Sequence, residues 1–128
     1  MGFERRKFIR RLFRRPVRVM EYIHGRESQC EAVNLNPMGM FLKTRKRYRL
    51  GETVTVRFPS PSGDYEMVLN GEVVRIVGPV EARETGAEAG VAIRFFGMAH
   101  WDFNELFEFV YGSAEASIVV TSDGVEAP

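Results

Sequence analysis

Cysteine is almost absent: Cys30 is the only one among 128 residues. An intrachain disulfide is therefore impossible, and a reducing, cytoplasmic setting is the expected one. Histidine is nearly as scarce. His24 and His100 stand apart from each other, with no second ligand at metal spacing, so no metal site is expected. No apolar run approaches the roughly 20 residues that cross a bilayer as a helix, so no membrane span is expected. The basic N-terminal stretch leads into more arginine instead of an apolar segment, and a signal peptide is not expected either. Also lacking are a glycine-rich phosphate loop, a nucleophile paired with its base, and paired carboxylates. Asp64 and Glu66 flank a turn but have no partner for acid–base chemistry. The expectation is a protein that binds and does not catalyse.

What is present fits one soluble domain: 45% apolar and 27% charged residues, in a chain long enough to bury a single core. The net charge of +1 conceals an asymmetry. Eight of the 18 Lys and Arg fall between Arg5 and Arg18, opposed only by Glu4, so that stretch carries +7 and the remainder −6. An anion-seeking surface is thus local. A second, smaller basic group comprises Lys43, Arg45, Lys46, Arg47 and Arg49. The sequence leaves open whether the two groups share a face.

Along the chain, residues 1–12 lack periodicity and read as a basic arm. Residues 13–112 read as a compact domain, and 113–128 as a weakly specified tail in which Ser117 to Thr121 could add a late strand. Strands are expected at Phe13 to Tyr22, Ser28 to Leu35, Gly39 to Thr44, Thr53 to Phe58, Tyr65 to Val77 and Gly90 to Phe95. In the first, Val17, Val19 and Glu21 share one side, with Arg18 opposite. Asn70-Gly71 suggests a bulge or kink, and Gly78 to Gly90 reads as a polar loop. From Trp101 to Tyr111 the period changes to that of a helix, with Trp101, Phe103, Leu106, Phe107, Val110 and Tyr111 on one face and Gly112 ending it. Six short strands at this spacing imply a mostly β, antiparallel barrel, with one C-terminal α-helix plugging an open end. Cys30, in a strand, reads as a small core residue.

Two segments carry chemistry. Arginines in the arm offer planar, paired donors suited to phosphate and to purine edges. Asn34-Leu35-Asn36-Pro37-Met38-Gly39 is a polar turn closing on glycine, where backbone can approach a ligand without a Cβ in the way. Together they suggest a clamp for a small phosphorylated nucleotide. The turn also has a complete structural explanation, since Asn first, Pro second and Gly fourth are what a type I turn prefers.

The order of elements and these two segments resemble the PilZ domain family, small β-barrels that receive the second messenger cyclic di-GMP in many bacteria. Arg6-Lys7-Phe8-Ile9-Arg10, preceded by Arg5, is similar to the family's arginine pair separated by three residues. Asn34 and Gly39 match its turn motif, and Asn36 stands where serine is expected. Gly90 to Phe95 is similar to the family's glycine-led strand before its helix. The resemblance implies a six-stranded antiparallel PilZ-type barrel and a cyclic di-GMP receptor. Arg6 and Arg10 would be the main grips and Arg5 a supporting one, with Asn34, Asn36 and Gly39 as the opposing floor. Arg75 is a second-tier candidate on a later strand. The implied ligand is cyclic di-GMP, with no other cofactor, and the signal would pass to an unidentified downstream protein. A PilZ adaptor that does not bind the messenger and acts in motility or pilus assembly is the alternative. A nucleic-acid binder using the arm is a third reading, disfavoured by the matched turn.

Overall fold

The computed structural model describes residues 10–112. Six strands form a closed barrel: β1 (Arg11–Glu21), β2 (Glu27–Asn36), β3 (Gly39–Lys43), β4 (Thr53–Pro59), β5 (Glu66–Val77) and β6 (Gly90–Phe96). Their order around the barrel is β1-β2-β3-β6-β5-β4, every neighbouring pair antiparallel, with β4 closing back onto β1. Closure leaves no unpaired edge. Alternation decides which side chains enter. In β4, Val54, Val56 and Phe58 point inward and Thr53, Thr55 and Arg57 do not. In β1 the inward set is Val17, Val19 and Glu21, as the sequence suggests, together with Phe13.

Two helices are present among the described residues, α1 (Pro79–Thr85) and α2 (His100–Tyr111), where the sequence suggests one. The stretch read as a polar loop contains α1. Pro79 opens it and Gly86, with φ 76°, closes it in the left-handed region that favours glycine. It buries no residue, so it has no apolar stripe by which periodicity could reveal it.

α2 covers one end of the barrel. Leu106 is fully buried and Phe109 packs against the core, meeting Phe13 edge-on at 5.4 Å. Trp101, expected on the buried face, is 71% exposed instead, and Phe109 takes a place the periodicity had not given it. Polar ties hold the helix down. Ser62 N–H donates to Glu105 Oε2 at 3.0 Å, Tyr65 Oη donates to Asp102 Oδ1 at 3.3 Å, and Arg11 Nη1 donates to the Phe109 carbonyl. Burial, with Asp102 and Glu105 nearby, pushes the Tyr65 phenol up to about 12.

The other end is closed by the segment between β3 and β4. Tyr48 is buried there beside Cys30, which is a core residue. Glu21, only 2% exposed, accepts from Lys46 Nζ at 2.7 Å and Arg26 Nη2 at 3.2 Å. The hydrogen bond from Lys46, followed by that from Arg26, outweighs burial and holds the Glu21 carboxyl below its ordinary range. Asn70-Gly71 pairs regularly with β4, and the irregularity in β5 lies further on, between Val73 and Arg75. Residues 117–121, suggested as a late strand, lie outside the described residues.

Candidate functional site

β1 begins at Arg11, so Arg11 and Leu12 of the stretch read as arm belong to the barrel. Its register against β2 places Arg11 opposite Leu35 and Leu12 opposite Asn34. One step further along that register, Arg10 reaches the level of Asn36. The end of the arm and the polar turn, distant in sequence, are neighbours on adjacent strands.

Pleating fixes which way they face. Leu35, Met40 and Ile93 are buried inside the barrel, so their neighbours along each strand face outward. Arg11 lies on the inner side of β1, its guanidinium 4.6 Å from the centre of the Phe109 ring. Leu12 lies on the outer side, and Arg10, just before the strand, is exposed. Across the outer wall the pairing runs Asn36 to Gly39, Gly39 to Arg94, and Arg94 to Glu72. One row therefore contains Asn36, Gly39, Arg94 and Glu72, with Arg10 just beyond its Asn36 end. The adjacent row contains Leu12, Asn34, Phe41, Ala92 and Arg75. With strands roughly 4.8 Å apart, the backbone of Arg94 stands about 10 Å from that of Asn36, an extent suited to a ligand of nucleotide dimensions.

The turn is rigid because Asn36 holds it. Its Oδ1 accepts from the amides of Met38 at 2.7 Å and Gly39 at 2.9 Å. Asn36 is 8% exposed, and its Nδ2, which donates to none of the described residues, keeps contact with solvent. No non-glycine residue among those described has positive φ, so Pro37-Met38 links β2 to β3 without a left-handed residue. That agrees with the type I preference and excludes type II at this turn. The reason for Gly39 differs from the one its sequence context suggests. A Cβ there would overlap the Ile93 carbonyl oxygen of β6, so glycine is required by the neighbouring strand whether or not a ligand is bound.

The arginines on this wall are held loosely. Arg94 Nη2 lies 3.2 Å from Glu72 Oε1, and Arg75 Nη2 lies 2.6 Å from Glu81 Oε2 of α1. Both pairs are exposed, and such pairs are worth about 0–1 kcal/mol, so exchanging a carboxylate for a ligand phosphate costs little.

Of the residues singled out from sequence, Arg10, Asn34, Asn36 and Gly39 lie together on this wall. Arg75 shares its second row, three strands from Asn34. Arg5 and Arg6 lie outside the described residues. Sequence reading missed Arg94 and Phe41. Both were accessible to it, because alternation in Val91-Ala92-Ile93-Arg94-Phe95 and Gly39-Met40-Phe41-Leu42 turns Arg94 and Phe41 outward once Ile93, Met40 and Leu42 are assigned to the core. No group of three His, Cys, Asp or Glu that could hold a metal exists among the described residues. None of the helices there is long and apolar enough to cross a membrane.

Comparison with known proteins agrees with this architecture. The solved structure of the PilZ domain of CeSA from a cellulose-synthesizing bacterium superposes with a TM-score of 0.60. The two are 16% identical, over 81% of this chain and 96% of that one, so the likeness is one of fold. A search of curated proteins gave no match. The family model of the PilZ domain matches residues 4–112, a span that takes in most of the arm, the polar turn, the six strands and both described helices. By that match and that barrel, the chain belongs to the PilZ domain family.

Proposed function

We propose that the protein is a single-domain receptor for cyclic di-GMP that folds its arginine arm over the messenger and passes the signal on through protein contacts. The observation that carries this reading is the register of β1 on β2. It pairs Arg11 with Leu35 and so brings Arg10, the residue before the strand, to the end of the outward row of Asn36, Gly39 and Arg94. In this reading Arg6 and Arg10 grip phosphates and guanine edges, Arg5 supports them, and Asn34, the Asn36 Nδ2 and the Gly39 backbone form the floor. Arg94, released from Glu72, adds a further donor, and Phe41 offers an aromatic surface. No chemistry is performed on the ligand.

A free-energy balance supports reversibility. On this reading the backbone of residues 6–9 is ordered on binding, at a cost of roughly 4–8 kcal/mol. Four charge-assisted hydrogen bonds return roughly 6–12 kcal/mol, and guanidinium stacking on a purine adds about 0.5–2 kcal/mol. The near cancellation makes each arginine decisive. Calorimetry of the full chain with cyclic di-GMP, beside the Arg6→Ala/Arg10→Ala double variant, tests the reading. Saturable heat is expected from the first and none from the second.

One observation favours a second reading, a PilZ adaptor that does not bind the messenger. Asn36 and Gly39 are both fully accounted for by the turn and by β6, without a ligand. The adaptor reading predicts no heat at high micromolar cyclic di-GMP with the arm intact.

A further inference from the structure

Across the described barrel, cationic side chains are answered almost everywhere. Glu88 takes Arg14 and Lys43, Glu66 takes Arg18 and Arg57, and Glu21 takes Arg26 and Lys46. Glu81 takes Arg75 and Glu72 takes Arg94. Arg11 and Arg15 lie over the rings of Phe109 and Phe13. Four guanidinium groups stand out by having no partner among the described residues: Arg45, Arg47, Arg49 and Arg83. Arg83 is distant in sequence from the other three, yet all four lie at the barrel end away from α2.

Three of them share a recess. Arg45, Arg47 and Arg83 line an open groove of about 860 Å³ between the segment after β3 and helix α1. Its wall also includes Lys46, already engaged by Glu21, and apolar Ile76, Val77, Pro79 and Val91. No carboxylate lines it. A recess walled by low-dielectric side chains and charged with one sign concentrates anions. Its size falls within the roughly 300–1,000 Å³ of small-molecule sites. A bare inorganic anion would leave the apolar wall unused. A phosphate chain matches the guanidinium forks, and a flat organic body matches the exposed faces of Ile76 and Pro79.

We propose that the groove of Arg45, Arg47 and Arg83 is a second anion site, taking a small phosphorylated ligand with a flat apolar body, of the nucleoside-triphosphate type. It does not depend on the arm. From Gly39, in the row beside Arg10, to Thr44, at the groove, β3 and its exit cover about 17 Å. The sequence flags Arg45 and Arg47 without giving them a face; the structure supplies one, at the end of β3 away from Arg10.

The test is a titration of the nitrogen-15-labelled full chain, at physiological ionic strength, with ATP and separately with inorganic triphosphate. ATP is expected to shift the amides of Thr44, Tyr48, Gly78 and Gly90 saturably, and more tightly than triphosphate. Arg45→Ala/Arg83→Ala, both exposed positions, is expected to weaken ATP by roughly tenfold or more with an unchanged melting temperature. Arg6→Ala/Arg10→Ala is expected to leave it unchanged, so the outcome is separable from the receptor reading. Shifts that never saturate, that survive in Arg45→Ala/Arg83→Ala, or that vanish in Arg6→Ala/Arg10→Ala overturn the proposal. Displacement of ATP by a random DNA duplex, with a steep salt dependence, overturns it in favour of a polyelectrolyte surface.

Discussion

Asn36 satisfies two backbone amides with one carbonyl oxygen, and so fixes the turn on which the outward row depends. Asn36→Ala leaves those donors without their partner, and a loss of about 1–3 kcal/mol is expected on chemical denaturation. Asn36→Ser supplies a smaller acceptor at the same place and is expected to restore part of that loss, since serine hydroxyls hold such turns more weakly. Gly39→Ala drives a methyl into the Ile93 carbonyl and should cost about 1–3 kcal/mol with no ligand present. Arg94→Ala removes only an exposed pair and should leave stability within about 1 kcal/mol of the parent. On the receptor reading, the same change weakens cyclic di-GMP by roughly tenfold. Calorimetry beside a melting curve separates the two effects.

At the scale of elements, two closures hold the barrel. Leu106 of α2 is completely buried, and Leu106→Ala should cost about 2–5 kcal/mol in a denaturant titration. At the far end Glu21 ties β1 to the segment carrying Lys46 and to the β1–β2 turn carrying Arg26. Its carboxyl is lowered in the folded protein, first by Lys46 and then by Arg26 against the opposing effect of burial. A lowered carboxyl contributes stability that is complete above the ordinary carboxylate range and lost as pH falls through the folded-state value. Melting temperature should therefore drop on acidification below that range, and Glu21→Gln should show a shallower drop from a lower start. Much of this was legible beforehand. Alternation in Thr53 to Phe58 and in Val17, Val19 and Glu21 located strands and their inward faces. Helix α1 was hidden because it buries nothing, although Pro79 and Gly86 mark its ends. Trp101 misled because a helical face drawn from periodicity alone cannot tell which edge of an aromatic stripe meets the core. Phe109 meets it because Phe13 and Arg11 rise from β1 to receive it.

For the whole molecule, charge is distributed with a purpose that strand pairing makes visible. The arm end and the Asn34–Gly39 turn are adjacent only because β1 and β2 run antiparallel in the register they do. The motifs were readable as residues, and their adjacency follows from the hairpin. The outward companions Arg94 and Phe41 needed the closed barrel, since β6 meets β3 across a long sequence separation. The same closure gathers Arg45, Arg47 and Arg83 at the opposite end, which no linear reading of the basic segments reveals. The central claim is that the arm and the outer wall together hold cyclic di-GMP. The most direct measurement is calorimetric titration of the full chain with that messenger, repeated with Arg6→Ala/Arg10→Ala. Saturable binding by the parent, abolished in the double variant at unchanged stability, is the predicted result. An absence of heat from the folded parent at high micromolar messenger would contradict the account.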